Sequence, residues 1–166
     1  DTFHDHRNGV FFSTNPLGAR KDATSVQEGR TLNYDFNVVW RCRTSRDEKG
    51  WYAEIAIPLS QLPFKSAIGE TTWGLNVCRV IMRKNEETYW VPCPREWGAP
   101  GLARMSRAGN LIGFKDIHSR RRLELVPYIR PQVFRDYTAE TGTEKEMGYG
   151  FDFRLGITSD LDAVLT

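Results

Sequence analysis

The chain has 166 residues, of which 40% are hydrophobic and 12% aromatic, which is enough for one core of ordinary size. Its 23 basic and 21 acidic residues give a formal net charge of +2, so no net field attracts nucleic acid or an anionic membrane. No segment approaches the roughly 20 apolar residues of a membrane helix, which argues against helical insertion. The basic run at 119–122 is interpreted as a solvated linker rather than a nucleic-acid patch, because it contains no aromatic residues.

Hydrophobic alternation predicts an all-β chain. Strands are expected near 8–14, 34–44, 50–58, 71–83, 86–91 and 109–116, followed by a hairpin near 122–135 and 147–157. The alternation is clearest after Gly50, where one face carries Trp51, Ala53, Ile55 and Ile57 and the other carries Tyr52 and Glu54. Pro58 ends this strand, and the next long run turns at Lys84-Asn85.

A long loop, PCPREWGAPGLARMSRAGN, joins the strands near 86–91 and 109–116. Its prolines and glycines predict an irregular, exposed segment, and loops of this length are often functional. Trp90 and Trp97 flank or lie in this loop, whereas Trp40, Trp51 and Trp73 alternate with aliphatic residues and are predicted to be core.

Sequence patterns for catalysis are weak. The three histidines accompany no Gly-x-Ser-x-Gly motif. Glu86 and Glu87 are adjacent, so they point to opposite faces of a strand and cannot form a glycosidase pair. Glu54 is predicted to form a cross-strand ion pair with Arg41 or Arg43. The chain is therefore expected not to be an enzyme.

Two further groups of residues leave alternatives open. Asp1, His4, Asp5 and His6 have the side chains of a transition-metal site, but a polar turn before the strand at 8–14 explains them equally simply. Cys42, Cys78 and Cys93 lack zinc-site spacing and allow at most one internal disulfide.

The alternation from Gly150 places Phe151, Phe153, Leu155 and Ile157 on one face and Asp152, Arg154, Gly156 and Thr158 on the other. A lipid-facing strand of an outer-membrane barrel has this pattern. A half-buried strand of a soluble sheet has it too, so periodicity alone does not separate the two.

Four motifs, GW-x-AEI-x-IP, WG-x-N, R-x-x-x-R-x-NE and W-x-P, follow one another from Gly50 to Pro92. This order resembles the β-sandwich of carbohydrate-binding module family nine. It resembles more closely the version at the front of large bacterial outer-membrane proteins, where the module precedes a C-terminal β-barrel. The segment GVFFSTNPLGARKDA is similar to a middle strand and turn of that module, and FDFRLGITSDLDAVLT is similar to the start of the barrel.

The resemblance implies an antiparallel β-sandwich over 1–118, then a linker and the first barrel strands over 119–166. It begins in mid-module, and Thr166 lies inside an alternating strand, so we expect a fragment that lacks upstream strands. It also implies a bacterial outer-membrane location, membrane contact through the barrel, and a non-catalytic module that binds glycan without a cofactor.

Family-nine modules bind sugar between aromatic side chains at the rim of the sandwich. The resemblance, together with the loop, therefore indicates a carbohydrate site formed by Trp90, Trp97, Tyr89, Arg95, Glu96 and Arg79. Arg79 falls on the apolar face of its predicted strand, so either it enters a polar site with Glu86 or Asn76, or a bulge turns it outward.

Two other functions remain as alternatives. One is a structural or interaction domain that docks on the barrel or on a protein partner without binding sugar. The other is haem binding through Met82, Met105 or His118, although no spacing supports it.

Overall fold

The computed structural model of the chain describes residues 1–119, 123–135, 144–156 and 162–165. In these ranges the chain is all-β, as the alternation predicted: twelve strands form five small antiparallel sheets, and helical structure is limited to short 3₁₀ turns. Within the described ranges, no helix has the length and hydrophobicity that crossing a membrane requires. The chain divides into two compact units, Asp1–Ser119 and Arg120–Thr166.

The first unit contains the strands β1 (Gly9–Thr14), β2 (Arg20–Val26), β3 (Thr31–Asn33), β4 (Arg41–Arg46), β5 (Trp51–Ala56), β6 (Glu70–Leu75), β7 (Cys78–Ile81), β8 (Glu86–Tyr89) and β9 (Gly109–Lys115). They pair as a three-stranded sheet, β1–β2–β3, and as three two-stranded sheets, β4–β5, β6–β9 and β7–β8. The predicted turn at Lys84-Asn85 is confirmed, since Asn85 adopts the left-handed conformation between β7 and β8.

Two strands were missed and two predicted strands have the wrong extent. β2 and β3 were not predicted, because their sequences lack an apolar alternation and β2 buries only the small side chains of Ala23 and Ser25. The expected strand near 34–44 is regular only from Arg41. The expected strand near 71–83 is interrupted between Leu75 and Cys78, so its two parts belong to different sheets.

The main apolar cluster of the first unit surrounds Trp73. Its ring lies 5.4 Å from that of Phe64 and 4.3 Å from that of Phe114, measured between centroids, and Ile117 completes the buried group. Trp40 is buried separately: Phe12 meets its ring edge-on, and its indole N–H donates a hydrogen bond of 2.9 Å to Asp22. Both tryptophans are therefore core residues, as predicted.

Trp51 is not a core residue. We expected its strand face to meet the Trp73 face, but Trp51 is only half-buried and Ile55 on the same strand is exposed. The physical reason is that β5 pairs only with β4, so none of the buried cluster around Trp73 is contributed by β5.

The second unit contains β10 (Leu123–Phe134), β11 (Glu144–Gly156) and β12 (Asp162–Leu165), which form one antiparallel sheet in that order. The predicted hairpin is confirmed, and β12 agrees with the alternating strand expected at this end of the chain, although its bounds were not predicted and Thr166 lies outside the described residues. The sequence predicts a polar hairpin loop over TAETGTEKE, 138–146; Glu144, Lys145 and Glu146 belong instead to β11, whereas 138–143 lie outside the described residues, as do Ile157 and Thr158.

Candidate ligand-binding surface

The loop between β8 and β9 is folded rather than irregular. It contains three consecutive 3₁₀ turns, Arg95–Trp97, Ala99–Ala103 and Met105–Arg107. Each is closed by an amide that bonds the carbonyl three residues earlier, for example Trp97 N to Pro94 O at 3.0 Å. The predicted irregularity is therefore wrong, because short-range hydrogen bonds satisfy a backbone whose prolines and glycines prevent a longer helix.

Asn76 fixes the beginning of this loop. It lies in the gap between β6 and β7, where its side-chain amide donates to Val91 O at 3.1 Å and accepts from Val91 N at 3.0 Å. The side chain thus pairs with Val91 as a strand backbone would. Trp90 N adds a bond of 2.8 Å to Val77 O, so the β7–β8 pairing continues to the edge of the loop.

Two close contacts hold the rest of the loop. The Cys93 thiol donates to Gly101 O at 3.3 Å, and Gly101 is buried so closely that a Cβ there would lie 3.2 Å from Cys93 Cβ. On the far side, Ser106 donates to a carboxylate oxygen of Glu28 at 3.0 Å. The loop is thus anchored both to β7–β8 and to the turn between β2 and β3.

Trp90 is the most exposed of the five tryptophans, with 57% of its surface accessible. The edge of its ring lies over Gly109, where a Cβ would come within 3.0 Å of Cζ3 and 3.2 Å of Cη2. Because Gly109 has no side chain, the indole can lie against the start of β9. Trp90 is therefore an exposed aromatic ring with a fixed support.

Trp97 is half-buried, and the guanidinium carbon of Arg104 lies 4.3 Å from the centre of its ring. This is the geometry of a cation–π contact. Arg95 and Glu96 precede Trp97 in the same 3₁₀ turn and are both exposed.

Arg79 points to solvent rather than into the apolar core face on which it was expected. The interruption between Leu75 and Cys78 breaks the alternation of the predicted strand, and Arg79 beyond it faces outward. Of the two alternatives for Arg79, the structure therefore agrees with the outward one. Its guanidinium lies 4.5 Å from the Trp51 ring centre and donates to Trp51 O at 3.1 Å. Trp51, predicted to be core, therefore belongs to this surface. The only sequence feature that indicated its exposure was its position as the first residue of β5.

The pairing of β7 with β8 places Trp90 and Arg79 on one face of the hairpin. Arg79 lies opposite Thr88, and Trp90 lies opposite Val77 in the continued pairing. Residues two apart on paired strands share a face. Tyr89 lies opposite Cys78 and so belongs to the other face, away from Trp90 and Arg79.

Tyr89 donates a hydrogen bond of 2.7 Å to the Glu87 carboxylate. This bond, together with partial burial, raises the pKa of Tyr89 far above its usual range. Partial burial and the negative charge of Glu87 also raise the pKa of the Cys78 thiol. Both groups are therefore held neutral, and neither is activated as a base or nucleophile.

The residues of the alternative metal site serve a turn. The Asp1 carboxylate accepts from His6 N at 2.8 Å, and Asp5 accepts from Arg7 N and Asn8 N, both at 2.8 Å. Burial acts to raise the pKa of Asp5, but the hydrogen bonds from Asn8 and Arg7 outweigh it and lower that pKa. In the described part of the chain, no group of three His, Cys, Asp or Glu side chains is placed to hold a metal ion.

The expected ion pair of Glu54 is not formed. Arg43 lies directly opposite Glu54 in the β4–β5 register. However, the one ion pair within 4.0 Å among the described residues joins Lys84 and Glu86 at 3.7 Å. Glu54 and Arg43 are both exposed, so water solvates the two charges separately.

The surface around the loop combines one exposed indole, Trp90, with guanidinium groups that are stacked on Trp97 and Trp51. Rings of this kind bind flat, partly apolar ligands, and the guanidinium edges donate hydrogen bonds. Comparisons of the chain with protein-family models, with curated proteins and with solved structures found no match.

Proposed function

We propose that the first unit is a non-catalytic carbohydrate-binding β-sandwich module that binds glycan at the surface around Trp90 and Trp97. The observation that supports this most directly is the exposure of Trp90 on a fixed support formed by Gly109 and the backbone of Val77. A sugar presents a flat C–H face that stacks on such a ring. A ring that is already fixed loses little conformational entropy on binding.

The other proposed site residues have different roles. Trp97, Arg95 and Glu96 lie on the folded loop and carry hydrogen-bonding groups, and Arg79 lies on the same hairpin face as Trp90. Tyr89 lies on the opposite face of the hairpin, so it is not placed to contact a sugar that stacks on Trp90. The site is a shallow platform, for which weak affinity is expected.

The test is calorimetry or a glycan array with the whole chain. Trp90→Ala should weaken binding by about tenfold or more, because it removes the aromatic area that the sugar covers on binding. Tyr34→Ala is the matched control, since Tyr34 is another exposed aromatic residue, at 46%, that stacks with Lys21 outside the loop. Absence of sugar binding by the wild type would contradict the proposal. So would binding by Trp90→Ala and Trp97→Ala that is as tight as binding by the wild type.

For the second unit we propose contact with the bacterial outer membrane as the first strands of a β-barrel. The support is its register, which brings apolar residues together on one face in five successive pairs: Leu123 with Leu155, Leu125 with Phe153, Pro127 with Phe151, Ile129 with Tyr149, and Pro131 with Met147. Tyr149 is 84% exposed and Ile129 74%. Such an apolar face is unfavourable in water and suits hydrocarbon.

The opposite face supports the same proposal. It carries Arg130, Gln132, Glu146 and Asp152, with Gly148 and Gly150 in the middle of β11, and is polar except for Val126, Tyr128 and Phe134. The apolar pairs extend from 123 to 131, which is close to the 9–11 residues that a tilted strand needs to cross the hydrocarbon.

This part of the proposal is tested with nitroxide labels at Tyr149→Cys and, as the opposite-face control, Tyr128→Cys, with Cys42, Cys78 and Cys93 replaced by alanine. In outer-membrane vesicles the label at 149 should be accessible to oxygen and protected from a water-soluble nickel chelate. The label at 128 should show the reverse preference. Equal accessibilities at the two positions would contradict lipid contact.

The alternative function is an interaction domain that docks on the barrel or on a protein partner without binding sugar. The exposed apolar face of the second unit is the observation that favours it, since a protein surface covers such a face as well as lipid does. It predicts no glycan binding by the wild type and nickel-chelate protection at 149 only when the partner protein is present.

A further inference from the structure

The proposed glycan surface carries an excess of arginine. The loop from 92 to 108 contains Arg95, Arg104 and Arg107 but only one acidic residue, Glu96. Arg79 adds a fourth guanidinium on the Trp90 face of the β7–β8 hairpin. Among the described residues, the one ion pair within 4.0 Å is Lys84–Glu86, so no carboxylate of the described chain forms a close pair with these four arginines.

Two of these arginines lie over tryptophan rings. Arg104 stacks on Trp97 at 4.3 Å, and Arg79 stacks on Trp51 at 4.5 Å and bonds to its carbonyl. Stacking occupies the flat face of a guanidinium and leaves its in-plane N–H groups at the edge. That edge matches two oxygens of a carboxylate or sulfate, which it binds through two parallel hydrogen bonds.

The hydrogen-bonding capacity of the surface is one-sided. A guanidinium donates hydrogen bonds and cannot accept them, whereas a neutral sugar carries hydroxyls that need both donors and acceptors. Glu96 is the single acidic side chain of the loop, and Glu86, the acidic side chain on the Trp90 face of the hairpin, is paired with Lys84 at 3.7 Å. A surface that is rich in donors and poor in acceptors fits a ligand with many acceptor oxygens.

We infer that the glycan is acidic: a sugar ring stacks on Trp90 while its carboxylate or sulfate groups bind the edges of Arg79 and Arg104. This inference rests on the proposed function and names the class of its ligand. The positive field of the four arginines also attracts an anionic polysaccharide before contact, so binding should weaken as salt increases.

The experiment uses the whole chain and two matched pairs of ligands. Oligogalacturonate is compared with its methyl ester, and a keratan sulfate fragment, which contains no uronic acid, is compared with its desulfated form, each by calorimetry at low and at physiological salt. The wild type should bind at least one acidic form about tenfold more tightly than its neutral partner. Preference within the first pair identifies carboxylate as the recognised group, and preference within the second identifies sulfate.

Variants locate the recognition. Arg79→Gln and Arg104→Gln should each reduce the acidic preference severalfold, whereas Arg83→Gln should not change it. Arg83 is the matched control because it is an exposed arginine at the tip of the β7–β8 hairpin, in the turn Met82–Lys84. Tryptophan fluorescence melting shows whether each variant is folded, and the comparison of ligand pairs on the wild type needs no variant.

The outcomes separate the two proposals. Equal binding of acidic and neutral forms would overturn the acidic-ligand inference and leave the glycan-binding function standing. Binding of no glycan of either kind would overturn the function itself and the inference with it. Acidic binding that persists unchanged in Trp90→Ala would show nonspecific attraction by charge, which also overturns the inference.

Discussion

Gly29 lies at the contact between the β2–β3 turn and the loop that carries Trp97. Its φ of +81° is in the left-handed region, and a Cβ there would lie 2.6 Å from Ala103 Cβ. Two separate effects therefore require glycine at this position: the backbone conformation and the lack of space for a side chain.

Gly69 allows the two effects to be measured separately, because its φ is +84° but nothing lies within 4 Å of a Cβ there. Gly69→Ala should lower the free energy of unfolding by about 1–2 kcal/mol through backbone strain alone. Gly29→Ala should lower it by about 1–3 kcal/mol more, because Ala103 must also move. Urea unfolding followed by tryptophan fluorescence measures both, and equal losses would show that the loop does not pack on this turn.

Cys78 offers a chemical test of the β7–β8 face that carries Tyr89. Burial and then the charge of Glu87 raise the pKa of this thiol, so its thiolate fraction at pH 8 is smaller than that of a free cysteine. Glu87→Gln removes the charge, lowers the thiol pKa and should speed alkylation of Cys78 by iodoacetamide, followed by peptide mass spectrometry.

The control for this prediction is Glu86→Gln. Glu86 lies opposite Ile81 and Glu87 opposite Val80, so the two carboxylates occupy different faces of the hairpin. Glu86→Gln should therefore leave the alkylation rate of Cys78 nearly unchanged. Equal acceleration by both variants would mean that net charge, rather than the local contact, governs the thiol.

At the scale of elements, the gap between β6 and β7 organises the candidate site. β6 pairs with β9 in the sheet that carries Trp73, while β7 pairs with β8. Asn76 lies in the gap and binds Val91 by two hydrogen bonds, so one side chain connects the core sheet to the beginning of the loop. The interruption also turns Arg79 outward, onto the face of Trp90.

Asn76→Ala should lower the free energy of unfolding by about 1–3 kcal/mol, because the backbone groups of Val91 lose their partners. It should also speed hydrogen exchange at the Val91 amide and weaken glycan binding, since Trp90 would no longer be fixed. Asn110→Ala, which changes an exposed asparagine of β9, is the control and should have little effect on any of these. Unchanged exchange at Val91 would contradict the role of Asn76 as a clamp.

At the scale of the whole molecule, the buried residues of the described chain are confined to one unit. The buried apolar residues of the described chain, Ala23, Trp40, Phe64, Trp73, Met105 and Ile117, all belong to Asp1–Ser119. In the second unit, every side chain whose burial is described is exposed or half-buried. The two units therefore differ in how they can be stable in water.

A fragment of residues 1–119 should consequently fold alone, with shielded tryptophan emission and cooperative urea unfolding, because it contains all five tryptophans and the whole described core. A fragment of residues 120–166 should remain unfolded in buffer, because an isolated small sheet without a covered apolar face is marginal. Circular dichroism and fluorescence on both fragments provide the measurement. If the second fragment folds in plain buffer, its exposed apolar face does not prevent it from being stable in water.

Much of the candidate site could be identified from sequence, for a physical reason. Trp90, Trp97, Arg95 and Glu96 lie within or beside a long loop, and proline and glycine mark a loop by local backbone preferences alone. What the loop does internally could not be predicted. Its three 3₁₀ turns depend on contacts between residues such as Cys93 and Gly101, whose proximity no periodicity indicates.

The sequence by itself determined the all-β class, the hairpin turn at Asn85 and the two-faced pattern of the second unit. These follow from alternation and from local backbone chemistry, which act within a few residues. Only the tertiary structure decided which tryptophans are buried. Trp51 and Trp73 both alternate with aliphatic residues along their strands. However, the strand of Trp73 pairs beside a covered core, whereas the strand of Trp51 does not. Pairing between distant strands is not encoded in the residue spacing of either strand.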